Sequence, residues 1–184
     1  MINLINRFFY IILVFSFYVI VTYGKEYIIR NGDDFFYSIN GIITNYEGNE
    51  ELIFRFPDHQ YDMLNQIYSI SIPVNTNISF IGNENMTIFD FGFDKKGALD
   101  INKSIDKELY VKFENIIIQN FYSLNQYQSK ISVFHVISQL NNLFVTYNNC
   151  IFRNNSNDIF TLDINCSKNN IIEPNVTFNN CKFL

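Results

Sequence analysis

The chain has 184 residues, 48% hydrophobic and 17% aromatic with 20 Phe and 12 Tyr, enough apolar material to bury one core and too much for a disordered tail. Its formal charge of −5 and pI near 4.9 come with no run of Lys or Arg that could neutralise phosphates, which argues against a nucleic-acid partner. The 3 cysteines are too few for a disulfide scaffold, and 7 Gly with 3 Pro are too few for a meander of tight hairpins.

From Arg7 to Gly24 the chain runs through a basic start, the apolar stretch FFYIILVFSFYVIV and small residues at Thr22 and Gly24. This pattern predicts a secretory signal peptide over residues 1–24 and a secreted or cell-surface protein. The stretch from Phe8 to Val21 is shorter than the roughly 20 residues of a spanning helix. Left uncleaved, it would instead anchor the chain in a membrane. Next, Lys25 to Asn31 reads as a strand. Gly32 and Asp33 open a helix in which Phe35, Phe36, Ile39, Ile42 and Ile43 recur at helical spacing up to Asn45. A strand from Glu51 to Phe56 and a polar loop from Pro57 to Gln66, carrying an exposed His59, complete an N-terminal cap over residues 25–66.

Residues 67–184 repeat. Tyr110-VKFENIIIQN, Phe144-VTYNNCIFRN and Asn175-VTFNNCKFL align, so that Ile78, Val111, Val145 and Val176 share one column and Phe80, Phe113, Tyr147 and Phe178 the next inward one. Ser79, Lys112, Thr146 and Thr177 alternate with them and are expected to face outward. Asn115, Asn149 and Asn180 follow where the chain must bend, and Asn tolerates the left-handed region there. Ile116/Ile118, Cys150/Phe152 and Cys181/Phe183 resume the alternation. A third strand falls at ALDIN 98–102, VFHVI 133–137 and TLDIN 161–165. Three strands per turn, each pairing only with its equivalents one turn away, specify an all-β fold: a parallel β-helix with a short amphipathic capping helix.

The strand-helix start, the rung NISFIGN-EN-MTIFD and the phrases NNCIFRNN and NNCKF resemble secreted right-handed β-helix repeat proteins of the pectin-lyase-like group. The Phe-x-x-Asn beginning at Phe152 is similar to the repeats of polymorphic outer-membrane proteins, whose companion Gly-Gly-Ala-Ile is absent here. The resemblance implies a right-handed parallel β-helix. It implies no single activity, because that fold hosts polysaccharide lyases, hydrolases, adhesins and plain surface proteins. Pectin-degrading members set acids on the outward face of the main strand, and Ser79, Lys112, Thr146 and Thr177 supply none.

On the third strand, LDIN, FHVI and LDIN in register place Asp100, His135 and Asp163 in one outward column. An imidazole between two carboxylates can serve as an acid–base group or a metal ligand. No nucleophile column and no third ligand accompany it, so neither metal nor cofactor is expected. Cys150 and Cys181 share an inward column at a spacing that a disulfide accepts, or they act as small buried hydrophobes; Cys166 is the better candidate for the odd thiol. Asn-x-Ser/Thr sequons at Asn77, Asn85, Asn102, Asn154, Asn165 and Asn175 mark candidate N-glycosylation sites. The expectation is a non-enzymatic extracellular or cell-surface module contacting carbohydrate or protein. Its alternatives are a carbohydrate-active enzyme of the lyase or hydrolase type using the Asp100/His135/Asp163 column, and a membrane-anchored surface protein. The phrase stops at Leu184 within a strand, which predicts a fragment or an open end that associates with another chain.

Overall fold

Short strands in which every second side chain is apolar bury one side of a coil and little else, so they gain stability only by stacking on copies of themselves. The computed structural model describes residues 24–32, 34–64, 66, 69–94, 98–122, 132–139, 142–156, 158–164 and 175–184. The expected signal peptide therefore lies outside the described residues, apart from Gly24.

Three parallel sheets form the walls. The first orders β1 (Lys25–Ile28), β2 (Leu52–Phe56), β5 (Ile78–Gly82), β8 (Leu109–Glu114), β11 (Leu143–Asn148) and β14 (Val176–Asn179). The second orders β3 (Gln60–Asp62), β6 (Thr87–Asp94), β9 (Ile116–Phe121), β12 (Ile151–Arg153) and β15 (Lys182–Phe183). The third orders β4 (Ser69–Pro73), β7 (Ala98–Lys103), β10 (Phe134–Ser138) and β13 (Phe160–Ile164). From β2 onward successive strands go to successive walls, so the chain winds as a β-solenoid.

Register in the first wall follows the repeat. Leu52, Ile78, Val111, Val145 and Val176 are aligned, as are Phe54, Phe80, Phe113, Tyr147 and Phe178. The rings of this second column stack at 5.5, 4.8, 5.0 and 5.1 Å, close to the strand spacing of about 4.8 Å. Phe54, Phe80, Phe113 and Tyr147 are buried, each worth about 1.5–3 kcal/mol in apolar area removed from water. At the corner to the second wall, Asn115, Asn149 and Asn180 adopt φ of 57°, 52° and 53°. Their side chains form a ladder, Asn149 Nδ2 donating to Asn115 Oδ1 at 2.8 Å and Asn180 Nδ2 to Asn149 Oδ1 at 3.2 Å. Gly82 stands one turn earlier in the same column, where a Cβ would sit 2.1 Å from the Asn115 carbonyl oxygen.

One end of the coil is closed by helix α1 (Phe35–Thr44), which lies over β4 and buries Phe35, Phe36, Ile39 and Ile43. Its N-cap, Asp34, makes no side-chain cap bond. The Phe36 amide donates instead to Oε1 of the buried Gln66 at 3.2 Å, satisfying a helix-end donor from a distant part of the chain.

Two expectations are corrected. The polar loop from Pro57 to Gln66 contains β3, an edge strand anchored by a single inward residue: Tyr61 is fully buried and its hydroxyl donates to the Ile29 carbonyl at 2.6 Å. Ser79 alternates away from the core as expected yet is only 2% exposed, because Glu51 covers it and accepts its hydroxyl proton.

Candidate functional site

Period-two alternation aims one set of third-wall side chains away from the core. On β7, Leu99 and Ile101 are buried while Asp100 is half-buried; on β10, Phe134, Val136 and Ser138 are buried while His135 and Ile137 are not. His135 is aligned with Asp100, and its Nδ1 lies 3.5 Å from Asp100 Oδ1.

The other carboxylate arrives by a different route. β13 is aligned with Phe160 against Phe134, so that Thr161 stands beside His135 and Asp163 beside Ile137. The expected register of the two LDIN words is therefore wrong by two residues. Phe160 decides it, by stacking on Phe134 at 5.5 Å and 14° and meeting Tyr147, Phe152 and Phe178 edge-on. A two-residue slip keeps each side chain on its face, and Asp163 reaches back diagonally: its Oδ2 is 3.0 Å from His135 Nε2. The three predicted residues thus meet on the outer surface, with His135 and Asp100 about one-third exposed and Asp163 69% exposed.

Chemically, this is an imidazole bracketed by carboxylates on both ring nitrogens. Both acids converge on the ring, so the trio ties β7, β10 and β13 together across three turns. No group of three or more His, Cys, Asp or Glu side chains among the described residues has the geometry to hold a metal ion.

A second polar cluster on the outer face of the second wall escaped the sequence reading. Asp90 accepts from Gln119 Nε2 and Asn120 Nδ2 at 2.8 Å and from the Gly92 amide at 3.0 Å. Against partial burial, which pushes it up, these donors hold the Asp90 carboxyl below its ordinary value. Gln119 Oε1 in turn accepts from Arg153 Nε at 2.8 Å. The signal was available: Asp90, Gln119 and Arg153 share a register row.

Cys150 and Cys181 are thiols on successive turns. Cys150 Sγ–H is directed at the Asn148 carbonyl at 3.4 Å and Cys181 Sγ–H at the Tyr147 carbonyl at 3.2 Å. Burial pushes the Cys150 thiol up to about 12. Of the sequon asparagines, Asn77, Asn85, Asn102 and Asn154 are exposed and Asn175 is half-buried; Asn165, like Cys166, lies outside the described residues. No helix among the described residues is long and apolar enough to cross a membrane.

Comparison with protein-family models, with curated proteins and with solved structures finds no match to this chain.

Proposed function

We propose that the chain is a non-enzymatic extracellular or cell-surface module, wound as a right-handed coil, that contacts carbohydrate or protein through its flat sheet faces. The handedness follows the strong right-handed preference of parallel-strand crossovers. The observation that carries the reading is how the polar groups of those faces are engaged with one another. His135 takes up both Asp100 and Asp163, and Asp90 is held by Gln119, Asn120 and the Gly92 amide. Glycoside cleavage by paired carboxylates needs two acids facing a sugar across a gap of about 5 Å or more. Here the acids point at an imidazole. The last two turns of the first wall meanwhile pair hydroxyl with hydroxyl and amide with amide, Thr146 beside Thr177 and Asn148 beside Asn179, polar groups that a carbohydrate or protein surface can meet. The expected export fits this use, and the pectin-lyase-like resemblance adds a precedent for surface and adhesive roles.

Secreted full-length protein tested on arrays of glycans and extracellular-matrix proteins is expected to bind at least one class without cleaving it. Failure to bind any, or retention of the chain in the cytosol, would overturn the reading. The convergence of Asp100, His135 and Asp163 favours one alternative, a carbohydrate-active enzyme. Cleavage of polygalacturonate, alginate or a related polymer that is lost on His135→Ala would establish it.

A further inference from the structure

The outward position just ahead of the Val column of the first wall reads, turn by turn, Asn77, Tyr110, Phe144 and Asn175. Tyr110 is aligned with Phe144, and the Tyr110 amide donates to Asn77 Oδ1 at 3.1 Å. Asn175 Nδ2 donates to the Leu143 carbonyl at 2.9 Å. The two rings stack at 5.2 Å and 22°, and Tyr110 is 42% exposed. Rings stacked from turn to turn direct their outer faces toward the turns before and after. Those are the turns that carry the two asparagines, and each asparagine opens a sequon: Asn77-Ile78-Ser79 and Asn175-Val176-Thr177.

We infer that Tyr110 and Phe144 are the seat of N-linked glycans carried by Asn77 and Asn175, the first N-acetylhexosamine of each lying against a ring face. This rests on the secreted reading proposed above. The apolar C–H face of a pyranose is complementary to the negative face of an aromatic ring, and no other chemistry is required of the protein. Glycosyl transfer forms a bond from the asparagine Nδ2 to the sugar C1. It breaks the C1–oxygen bond to a lipid-linked pyrophosphate donor, which leaves with the electron pair while one amide proton is lost to base. Asn77 holds the Tyr110 amide through Oδ1, not Nδ2. Asn175 needs only one of its two N–H groups for the Leu143 carbonyl. Both bonds therefore survive the linkage. The burial of Ser79 under Glu51 places the transfer before folding of that turn is complete.

The test is the full chain made in a eukaryotic secretory host, with and without inhibition of lipid-linked donor synthesis, in wild type and in Tyr110→Leu/Phe144→Leu. Peptide mapping is expected to find sugar at Asn77 and Asn175. Glycosylation is expected to raise the melting temperature of the wild type by about 2–4 °C and to leave the double variant within about 1 °C. An equal rise in both backgrounds, or none, overturns the proposal. Should the double variant fail to fold, proton NMR of the wild type decides: sugar and N-acetyl methyl signals moved upfield by ring currents are expected, and signals at free-glycan positions overturn it. Sugar on Asn85, Asn102 or Asn154 with Asn77 and Asn175 bare overturns this inference alone. A cytosolic chain bare at every sequon overturns the secreted reading with it.

Discussion

Tyr147 carries a buried side-chain oxygen with no hydrogen-bond partner among the described residues, in a column where its neighbours on both sides, Phe113 and Phe178, are Phe. An orphaned hydroxyl costs the desolvation it never recovers, about 1–3 kcal/mol. Tyr147→Phe is therefore expected to stabilise the protein by about 1 kcal/mol in urea unfolding; a loss of stability would reveal a partner for the oxygen. Cys150 makes a pH-dependent contribution. Its thiol rises from 9.0 in the unfolded chain to about 12 in the fold, so above pH 9 the folded state holds the proton more tightly than the unfolded one. That contribution is complete below pH 9 and is lost as pH rises toward 12. Between pH 8 and 10.5 the wild type is expected to lose up to about 2 kcal/mol more than Cys150→Ala. Tyr61, pushed up to about 12 by burial, acts in the same sense above pH 10 and is common to both proteins. Parallel pH profiles for the two proteins would refute the assignment.

At the scale of the strand and the corner, the asparagine column does two jobs that substitution can separate. Asn149 holds φ at 52° and donates to Asn115. Asn149→Ala is expected to cost about 1–3 kcal/mol, and Asn149→Gly to recover the conformational part and leave only the ladder bond missing. Gly82→Ala, which drives a methyl onto the Asn115 carbonyl, is expected to cost about 1–3 kcal/mol, read as a lower urea midpoint. The first-wall strands and these corners were legible in the sequence because alternation and a turn-forming Asn recur together in Tyr110-VKFEN, Phe144-VTYNN and Asn175-VTFNN. β3 was not: Gln60-Tyr-Asp offers one inward residue, too little pattern to separate a strand from a loop. The LDIN words misled for a related reason. Four shared letters suggested a register, but the flat contact of Phe160 on Phe134 fixes it two residues away. The site survived that error because both registers leave the carboxylate on the same face. Tyr110 and Phe144 stood out less because they occupy outward positions, where alternation says only that a side chain leaves the core.

Taken whole, the molecule is a stack in which each strand bonds only to the turns on either side, so local stability is set by position along the axis. β13, β14 and β15 each pair on one side only among the described strands, and Leu162, Phe178 and Phe183 there are exposed. Hydrogen exchange followed by mass spectrometry is expected to show protection rising from these strands toward β8 and β9; uniform protection would mean that another surface covers them. The opposite end, closed by α1, has a bearing on how the coil is made. Beyond β4, each strand finds its partner about thirty residues upstream, in chain that has already left the ribosome, and the capping helix is made before the turns that stack behind it. The nascent protein therefore has a finished template for every new turn, and the slow search that non-local β pairing ordinarily imposes is replaced by winding onto a spool in the order of synthesis.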